Sequence, residues 1–139
     1  MDEILSRGNT SSRELFDALG ALDNLDGNIV LLKEVTDLFL EKAPQQIQKM
    51  KDAFSCGDAS LLERHAHTLK GGSSNIGASK FSDEAFHLEL AAKGGDMDKC
   101  GLLLEQIERE MVNLQTALSC FSWESLQQLS PMSYKYKEN

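Results

Sequence analysis

The chain has 139 residues, of which 41% are hydrophobic, so it is long enough for one domain with a single buried core. Its formal net charge of −8 argues against nucleic acid and anionic membranes as partners, because both repel a negative surface. Three cysteines without a CxxC spacing indicate neither a disulfide framework nor a zinc site, and they fit a reducing compartment. No apolar run resembles a signal peptide or a membrane span, so we expect a cytoplasmic protein.

The first part of the chain predicts three helices. Ser11-Ser12-Arg13-Glu14 resembles a capping box, and Gly20 would end the short first helix that follows it. Asp26 is the candidate cap of a second helix. Pro44 suits the first turn of a third helix, which would end at Cys56-Gly57.

The rest of the chain predicts three longer helices. One begins at Asp58 or Ser60 and ends at Gly77, and the next runs from about Ala78 to Ala92. The last carries a heptad-like seam, and its pattern allows it to continue past Phe121 to Leu126. Apolar periodicity places on the buried sides of these three helices Leu62, Ala66, Leu69, Ser73 and Ile76, then Phe81, Ala85, Leu88 and Ala92, and finally Leu104, Ile107, Met111, Leu114 and Leu118.

Helices of this length joined by short turns predict an all-α fold, an antiparallel up-and-down four-helix bundle. The four longer helices after Pro44 would form the bundle, and the two shorter N-terminal helices would cap one end of it. We expect a single domain over residues 1–139 with its core at about 28–123. Residues 1–10 and 131–139 are expected to be flexible.

The helix that follows Gly57 carries a histidine with unusual neighbours. At about 100° per residue, His67, Lys70, Gly71, Ser74 and Glu63 share one solvent-facing stripe beside the buried one. An imidazole can act as a nucleophile near pH 7, and an ammonium one turn away can meet a phosphoryl group. A glycine in a helix interior costs about 1 kcal/mol, so a functional reason for it is expected. These are the groups that a phosphate-carrying histidine would need, although a lone histidine on a helix is more often an ordinary surface residue.

The stretch Ala66–Ala78, with the sequence AHTLKGGSSNIGA, resembles the signature of histidine-containing phosphotransfer (HPt) domains of two-component phosphorelays. The likeness extends over about residues 28–121, through Phe39–Pro44, Gly57-Asp58 and Leu88-Glu89-Leu90. One position departs from the pattern, because Gly72 stands where many members have serine. Gly72 projects away from the histidine, so we expect local helix flexibility there and no lost contact.

The resemblance implies a phosphorelay carrier without kinase activity of its own. It would accept a phosphoryl group on Nε2 of His67 from an aspartate of one response-regulator receiver domain and pass it to another receiver. The receiver, alone or within a hybrid sensor kinase, would supply the aspartate and Mg²⁺, so the carrier needs no cofactor of its own. Lys70 would balance the phosphate charge, Gly71 would admit the receiver's loops, and Glu89 is a further candidate for orienting the ring or Lys70. We expect a monomer, because a receiver must reach the histidine freely.

Other patterns near this stretch have more ordinary explanations. His65 and His67 point about 160° apart on a helix, so the pair does not chelate a metal and His65 is expected at the core boundary. Glu84-x-x-His87 matches half of a di-metal site, but there is no second copy, and a solvated helix face is expected instead. The phenylalanines are expected to fill the core; these are Phe81, Phe86 and Phe121.

One alternative function stays open at the level of sequence. The chain could be a helical adaptor that binds receivers or other signalling partners and is not phosphorylated. A metal-binding bundle, a third class, lacks ligands in this sequence.

Overall fold

Six α-helices and no strand make up the part of the chain that the computed structural model describes, residues 16–129. They are α1 Ala18–Asn24, α2 Ile29–Ser55, α3 Ala59–Asn75, α4 Ser79–Lys93, α5 Met97–Ser119 and α6 Trp123–Leu129. The four long helices α2 to α5 pack in a ring, each against the next and α5 against α2. The turns between them, residues 56–58, 76–78 and 94–96, are so short that consecutive helices must run antiparallel. The predicted all-α four-helix bundle is confirmed.

Helix α2 is continuous, although the sequence predicted two helices separated at Pro44. A proline in a helix interior removes one backbone hydrogen bond and costs about 3 kcal/mol. The helix persists because its buried face runs without interruption past the proline, which itself is exposed. That face consists of Thr36, Phe39, Ala43, Ile47 and Met50. The second predicted helix is therefore the first half of a bundle helix and not part of a cap.

Side-chain N-caps mark the start of α2, α3 and α5, whereas α4 begins without one. Asp58 accepts a hydrogen bond from the backbone N–H of Leu61 at 3.0 Å, which confirms Asp58, and not Ser60, as the start of α3. The predicted N-cap of α2, Asp26, was wrong by two residues, because the helix is capped by Asn28. Asp26 instead lies in the preceding loop with a φ of 55°, a conformation that aspartate tolerates better than most residues.

The short helix α1 lies against the α3–α4 turn. The N–H of Asp17 donates to the carbonyl oxygen of Gly77 at 2.8 Å, and Gly77 has a φ of 79°. A Cβ at position 77 would overlap the carbonyl oxygen of Asp17, so only glycine permits this approach. The prediction that Gly20 ends the first helix was wrong, since α1 continues to Asn24 through the buried Ala21 and its neighbours. The predicted capping box at 11–14 lies outside the described residues.

Aromatic side chains hold the two ends of the described chain together. Phe121 lies edge-on to Phe16 and to Trp123, with ring centroids 4.9 Å apart in each case. Helix α5 ends at Ser119, and the apolar pattern beyond it belongs to the separate helix α6. The predicted flexible ends, 1–10 and 131–139, lie outside the described range.

The inward-facing residues predicted for α3, α4 and α5 are all buried, and so is Ile76 directly after α3. This agreement fixes the rotation of α3 within the bundle and so determines which of its residues face solvent. Within residues 16–129 no helix is both long and apolar enough to cross a membrane.

Candidate functional site

His67 lies in the middle of α3 and faces Glu89 of α4. The Nδ1 atom of the imidazole is 2.9 Å from Oε2 of Glu89, across the antiparallel contact between the two helices. The histidine side chain is 65% exposed, whereas that of Glu89 is only 15% exposed. The ring is thus accessible to a partner molecule while its inner nitrogen is held by a largely buried carboxylate.

The protonation of Glu89 determines which ring nitrogen is free. Burial by itself would raise the pKa of the Glu89 carboxyl, but its contacts with Lys70 and His67 outweigh burial and lower that pKa. Glu89 is therefore ionised at neutral pH, and an ionised carboxylate can only accept hydrogen bonds. Nδ1 of the neutral imidazole must then carry the proton, and Nε2 keeps the lone pair.

Lys70 completes the group one turn after the histidine. Its Nζ forms an ion pair with Oε1 of Glu89 at 3.0 Å. The same ammonium lies 4.9 Å from the ring centroid of Phe86, at cation–π distance. One carboxylate thus contacts both the histidine and the lysine, each through a different oxygen.

Phe86 was predicted to fill the core, and that prediction was wrong. Its side chain is 40% exposed on α4 and contacts Lys70. The available signal was its spacing from Glu89, because residues three apart share a helix face. Ser82 was also missed by sequence reasoning: its hydroxyl donates to the carbonyl oxygen of Lys70 at 3.2 Å and ties α4 to α3 beside the site.

The two adjacent glycines of α3 differ in their surroundings. A Cβ built on Gly71 would meet no heavy atom within 4 Å, so nothing in the described chain requires glycine there. A Cβ on Gly72 would lie 3.3 Å from Cδ1 of Phe39, which makes Gly72 a close-packing position between α3 and α2. The prediction that Gly72 projects away from the histidine agrees with this contact, and α3 is a regular helix through both positions.

Ser74 and Glu63 lie on α3 with His67, and the structure shows where each side chain is placed. Ser74 is exposed and Glu63 is half-buried. Within the described range, neither side chain has a hydrogen bond or ion pair with His67, Lys70 or Glu89. The roles predicted for these two residues stay predictions.

The other two histidines lie in different surroundings. His65 is half-buried at the core boundary, where the amide nitrogen of Gln46 donates to its Nδ1 at 2.7 Å. Burial lowers the pKa of His65, and the neighbouring cations Lys49 and Arg64 lower it further. His87 is exposed on α4 beside the ring of Phe86.

Glu84 contradicts the prediction of a solvated face for the Glu84-x-x-His87 pair. It is only 6% exposed, and its Oε1 accepts a hydrogen bond from Gln106 of α5 at 3.2 Å. The reason is that Glu84 lies on the side of α4 that packs against α5, next to the buried Ala85. Among the described residues, no three histidine, cysteine, aspartate or glutamate side chains are grouped so that they could hold a metal ion.

Apolar surface flanks the histidine on both sides. On α4, Phe86 and Leu90, three residues before and one residue after Glu89 in sequence, are exposed. Between α2 and α3 lies a mainly apolar groove, which begins at the residue directly after His67. Its lining includes Val35, Leu38, Phe39, Thr68, Leu69 and Gly72.

Comparison with known proteins relates this arrangement to one family. Residues 34–117, more than half of the chain, match the Hpt domain family. The histidine-containing phosphotransfer protein 4 of Arabidopsis thaliana is 27% identical over 95 residues, which cover 67% of this chain and 75% of the plant protein. The crystal structure of histidine-containing phosphotransfer protein B (HptB) from Pseudomonas aeruginosa PAO1 is similar with a TM-score of 0.62 and 29% identity, over 83% of this chain and 94% of the bacterial chain.

These matches agree with the fold and with an exposed histidine on a bundle helix. Proteins of this family are carriers of phosphoryl groups rather than kinases. The chain belongs to the Hpt domain family and acts as a phosphorelay carrier in two-component signalling.

Proposed function

We propose that His67 is the residue that carries the phosphoryl group and that Nε2 is the atom bonded to phosphorus. The observation that supports this most strongly is the contact of Nδ1 with Glu89, since it leaves the lone pair on Nε2. The two other histidines fit the role less well. His65 is half-buried, and its Nδ1 contacts the amide nitrogen of Gln46. Among the described residues, His87 has a ring contact with Phe86 but no hydrogen bond or ion pair that would orient its imidazole.

The chemistry is divided between the carrier and its partner. Hpt family proteins interact with receiver domains and kinases in phosphorelays. Here the receiver would supply the phosphorylated aspartate and Mg²⁺, and the carrier would supply the nucleophile. Lys70, already one turn from the histidine, would turn its ammonium from Glu89 towards the phosphoryl oxygens. The carrier has no kinase activity of its own in this scheme, so ATP alone would not label it.

The partner would approach across the solvent-facing stripe of α3. Gly71 leaves open space beside the histidine, and Ser74 and Glu63 lie on the same stripe, where they would contact the receiver. The exposed Phe86 and Leu90 and the groove between α2 and α3 would provide apolar contact area on the two sides. We expect the carrier to act as a monomer, since this face must be free.

The test is phosphoryl transfer from a phosphorylated receiver domain, followed with a radioactive label. The wild-type carrier should take up label that is labile in acid and stable in base, as a phosphohistidine is. The chain offers matched controls, because it has three histidines. His67→Gln should abolish labelling, whereas His65→Gln and His87→Gln should retain it.

Label on His67→Gln would show that the assignment to His67 is wrong. A wild-type chain that binds receivers but takes no label from any of them would favour the adaptor alternative. Labelling by ATP without a receiver would contradict the absence of kinase activity.

A further inference from the structure

The interface between α4 and α5 contains two carboxylates that lie apart from the histidine site. Glu84 of α4 is only 6% exposed, and the side chain of Glu110 of α5 is 12% exposed. We propose that Glu84 and Glu110 form a proton-binding site, in which one proton held between the two carboxyl groups joins α4 to α5. The proposal does not depend on the role of His67.

Polar side chains of the two helices pair in antiparallel register at this interface. Oε1 of Glu84 accepts a hydrogen bond from Nε2 of Gln106 at 3.2 Å. Nζ of Lys80 lies 3.5 Å from Oε1 of Glu110. Lys80 and Glu84 are four residues apart on α4, and Gln106 and Glu110 are four residues apart on α5, so each pair lies on one helix face. Glu84 and Glu110 are therefore diagonal neighbours across the interface.

One oxygen of each carboxylate is buried without a hydrogen-bond partner among the described residues. These two atoms are Oε2 of Glu84 and Oε2 of Glu110. An ionised carboxylate only accepts hydrogen bonds, so two ionised groups cannot satisfy each other. A proton on Oε2 of Glu84 converts that oxygen into a donor, and Oε2 of Glu110 is then the available acceptor. A single proton would thus satisfy both buried oxygens.

The charges that face Glu84 come from α4 and α5, and together they favour the protonated form. Burial raises the pKa of the Glu84 carboxyl, and the Glu110 carboxylate raises it further. The hydrogen bond from Gln106 and the cations Lys80 of α4 and Arg109 of α5 lower this pKa without cancelling the rise. Helix α3 packs on the other flank of α4. The electrostatics therefore agree with the two unpartnered oxygens.

The ligand of this site is a proton and not a metal ion. Within residues 16–129, no group of three histidine, cysteine, aspartate or glutamate side chains could hold a metal. The proton comes from water and returns to water, so no other reactant is needed. Because the pKa of Glu84 is raised in the folded state, the bound proton strengthens the contact between α4 and α5 in mild acid. This contribution is lost as pH rises through the folded-state pKa.

The experiment follows the side-chain carboxyl carbons of the full chain by ¹³C NMR as pH is raised from 3 to 8. The wild type is compared with Glu110→Gln, which removes the like charge, and with Lys80→Gln, which removes an opposite charge. Glu105→Gln, an exposed carboxylate on α5, is the control for the same change in net charge as Glu110→Gln. Hydrogen exchange of the backbone amides of α4 and α5 measures how tightly the two helices are held at each pH.

Glu84 of the wild type should titrate above the ordinary value of 4.5. Glu110→Gln should lower the Glu84 midpoint and Lys80→Gln should raise it, and both shifts should exceed that of Glu105→Gln.

The hydrogen-exchange protection should change with the same proton. Corrected for intrinsic exchange, protection at the interface should fall by about tenfold for each pH unit between the unfolded and folded midpoints of Glu84. In Glu84→Gln it should not fall, because the glutamine amide can donate to Glu110 in place of the proton.

Three results would overturn the proposal. A Glu84 midpoint at or below 4.5 would show that both carboxylates are charged throughout the neutral range. Equal effects of Glu110→Gln and Glu105→Gln on that midpoint would show that Glu110 does not share the proton. Wild-type protection that does not change with pH would show that the proton does not join the helices. If Glu84→Gln does not fold, the titrations of the wild type and of Glu110→Gln still decide, with Glu84 assigned by through-bond NMR correlations.

Discussion

The open space at Gly71 leads to a prediction in which stability and transfer change in opposite directions. Glycine in a helix interior is less favourable than alanine by about 1 kcal/mol. A Cβ at position 71 would meet no heavy atom within 4 Å, so Gly71→Ala gains this propensity without a clash inside the chain. The free energy of unfolding should rise by about 1 kcal/mol, which corresponds to about 3–5 °C in Tm for a domain of this size.

Phosphoryl transfer should suffer from the same substitution. The new methyl group would occupy the space through which a receiver approaches His67, one turn away on α3. A misplacement that costs about 1.4 kcal/mol in the transition state slows transfer about tenfold. The assay is single-turnover transfer of label from a phosphorylated receiver, alongside thermal unfolding followed by circular dichroism.

The neighbouring glycine provides the matched control. Gly72→Ala gains the same helix propensity, but its Cβ would lie 3.3 Å from Cδ1 of Phe39, so the phenylalanine must shift and the gain in stability should be smaller or lost. Because this position lines the groove at α2 and does not face His67, transfer should slow by less than the tenfold expected for Gly71→Ala. The reasoning is refuted if Gly71→Ala is less stable than wild type, or if it is more stable and transfers at the wild-type rate.

Three further substitutions test separate parts of the structure. Lys70→Ala should slow transfer by about 10- to 100-fold, which is the effect of losing one charged contact worth about 1.5–3 kcal/mol. Circular dichroism should show that the variant is still folded. An unfolded variant would mean that Lys70 has a structural role. Gly77→Ala should lower the free energy of unfolding in urea by at least about 2 kcal/mol, because it combines strain at a φ of 79° with overlap on the carbonyl oxygen of Asp17; an unchanged urea midpoint would contradict the docking of the N-terminal segment. Burial raises the pKa of Glu84, and the neighbouring Glu110 carboxylate raises it further. Because the pKa of Glu84 is higher in the folded state, its contribution to the free energy of unfolding is complete below the unfolded-state pKa of 4.5. That contribution is lost as pH rises through the pKa of the folded state. Glu84→Gln should therefore be more stable than wild type at pH 7, by on the order of 1 kcal/mol, and the difference should disappear at about pH 4. Urea unfolding at both pH values measures this difference. An equal gain in stability at pH 4 and pH 7 would contradict the prediction.

Local patterns predicted the bundle and its buried faces well. The inward-facing stripes of α3, α4 and α5 follow from apolar spacing alone, and so does the solvent-facing stripe with His67 and Lys70. Prediction failed where packing between helices outweighs local preference. Pro44 was expected to start a helix, but a buried face on both sides of it keeps α2 continuous. Phe86 and Glu84 were each assigned to the wrong environment because residue type was used in place of helical position: at about 100° per residue, Phe86 lies about 160° from the buried Leu88, and Glu84 only about 40° from it.

By itself, the sequence determined the fold class, the family signature and the residue proposed to carry phosphate. These depend on periodicities and spacings within single helices, which are short-range properties of the chain. The family resemblance already gave Glu89 as a candidate for orienting the ring or Lys70, but only the tertiary structure showed that one carboxylate, 22 residues from the histidine, contacts both Nδ1 of His67 and Nζ of Lys70. The tertiary structure also distinguished the two adjacent glycines, because Gly72 packs against Phe39 and Gly71 faces open space. The physical reason is the same in both cases: the contact partners belong to different helices, and the register between helices is fixed by the packing of the whole core.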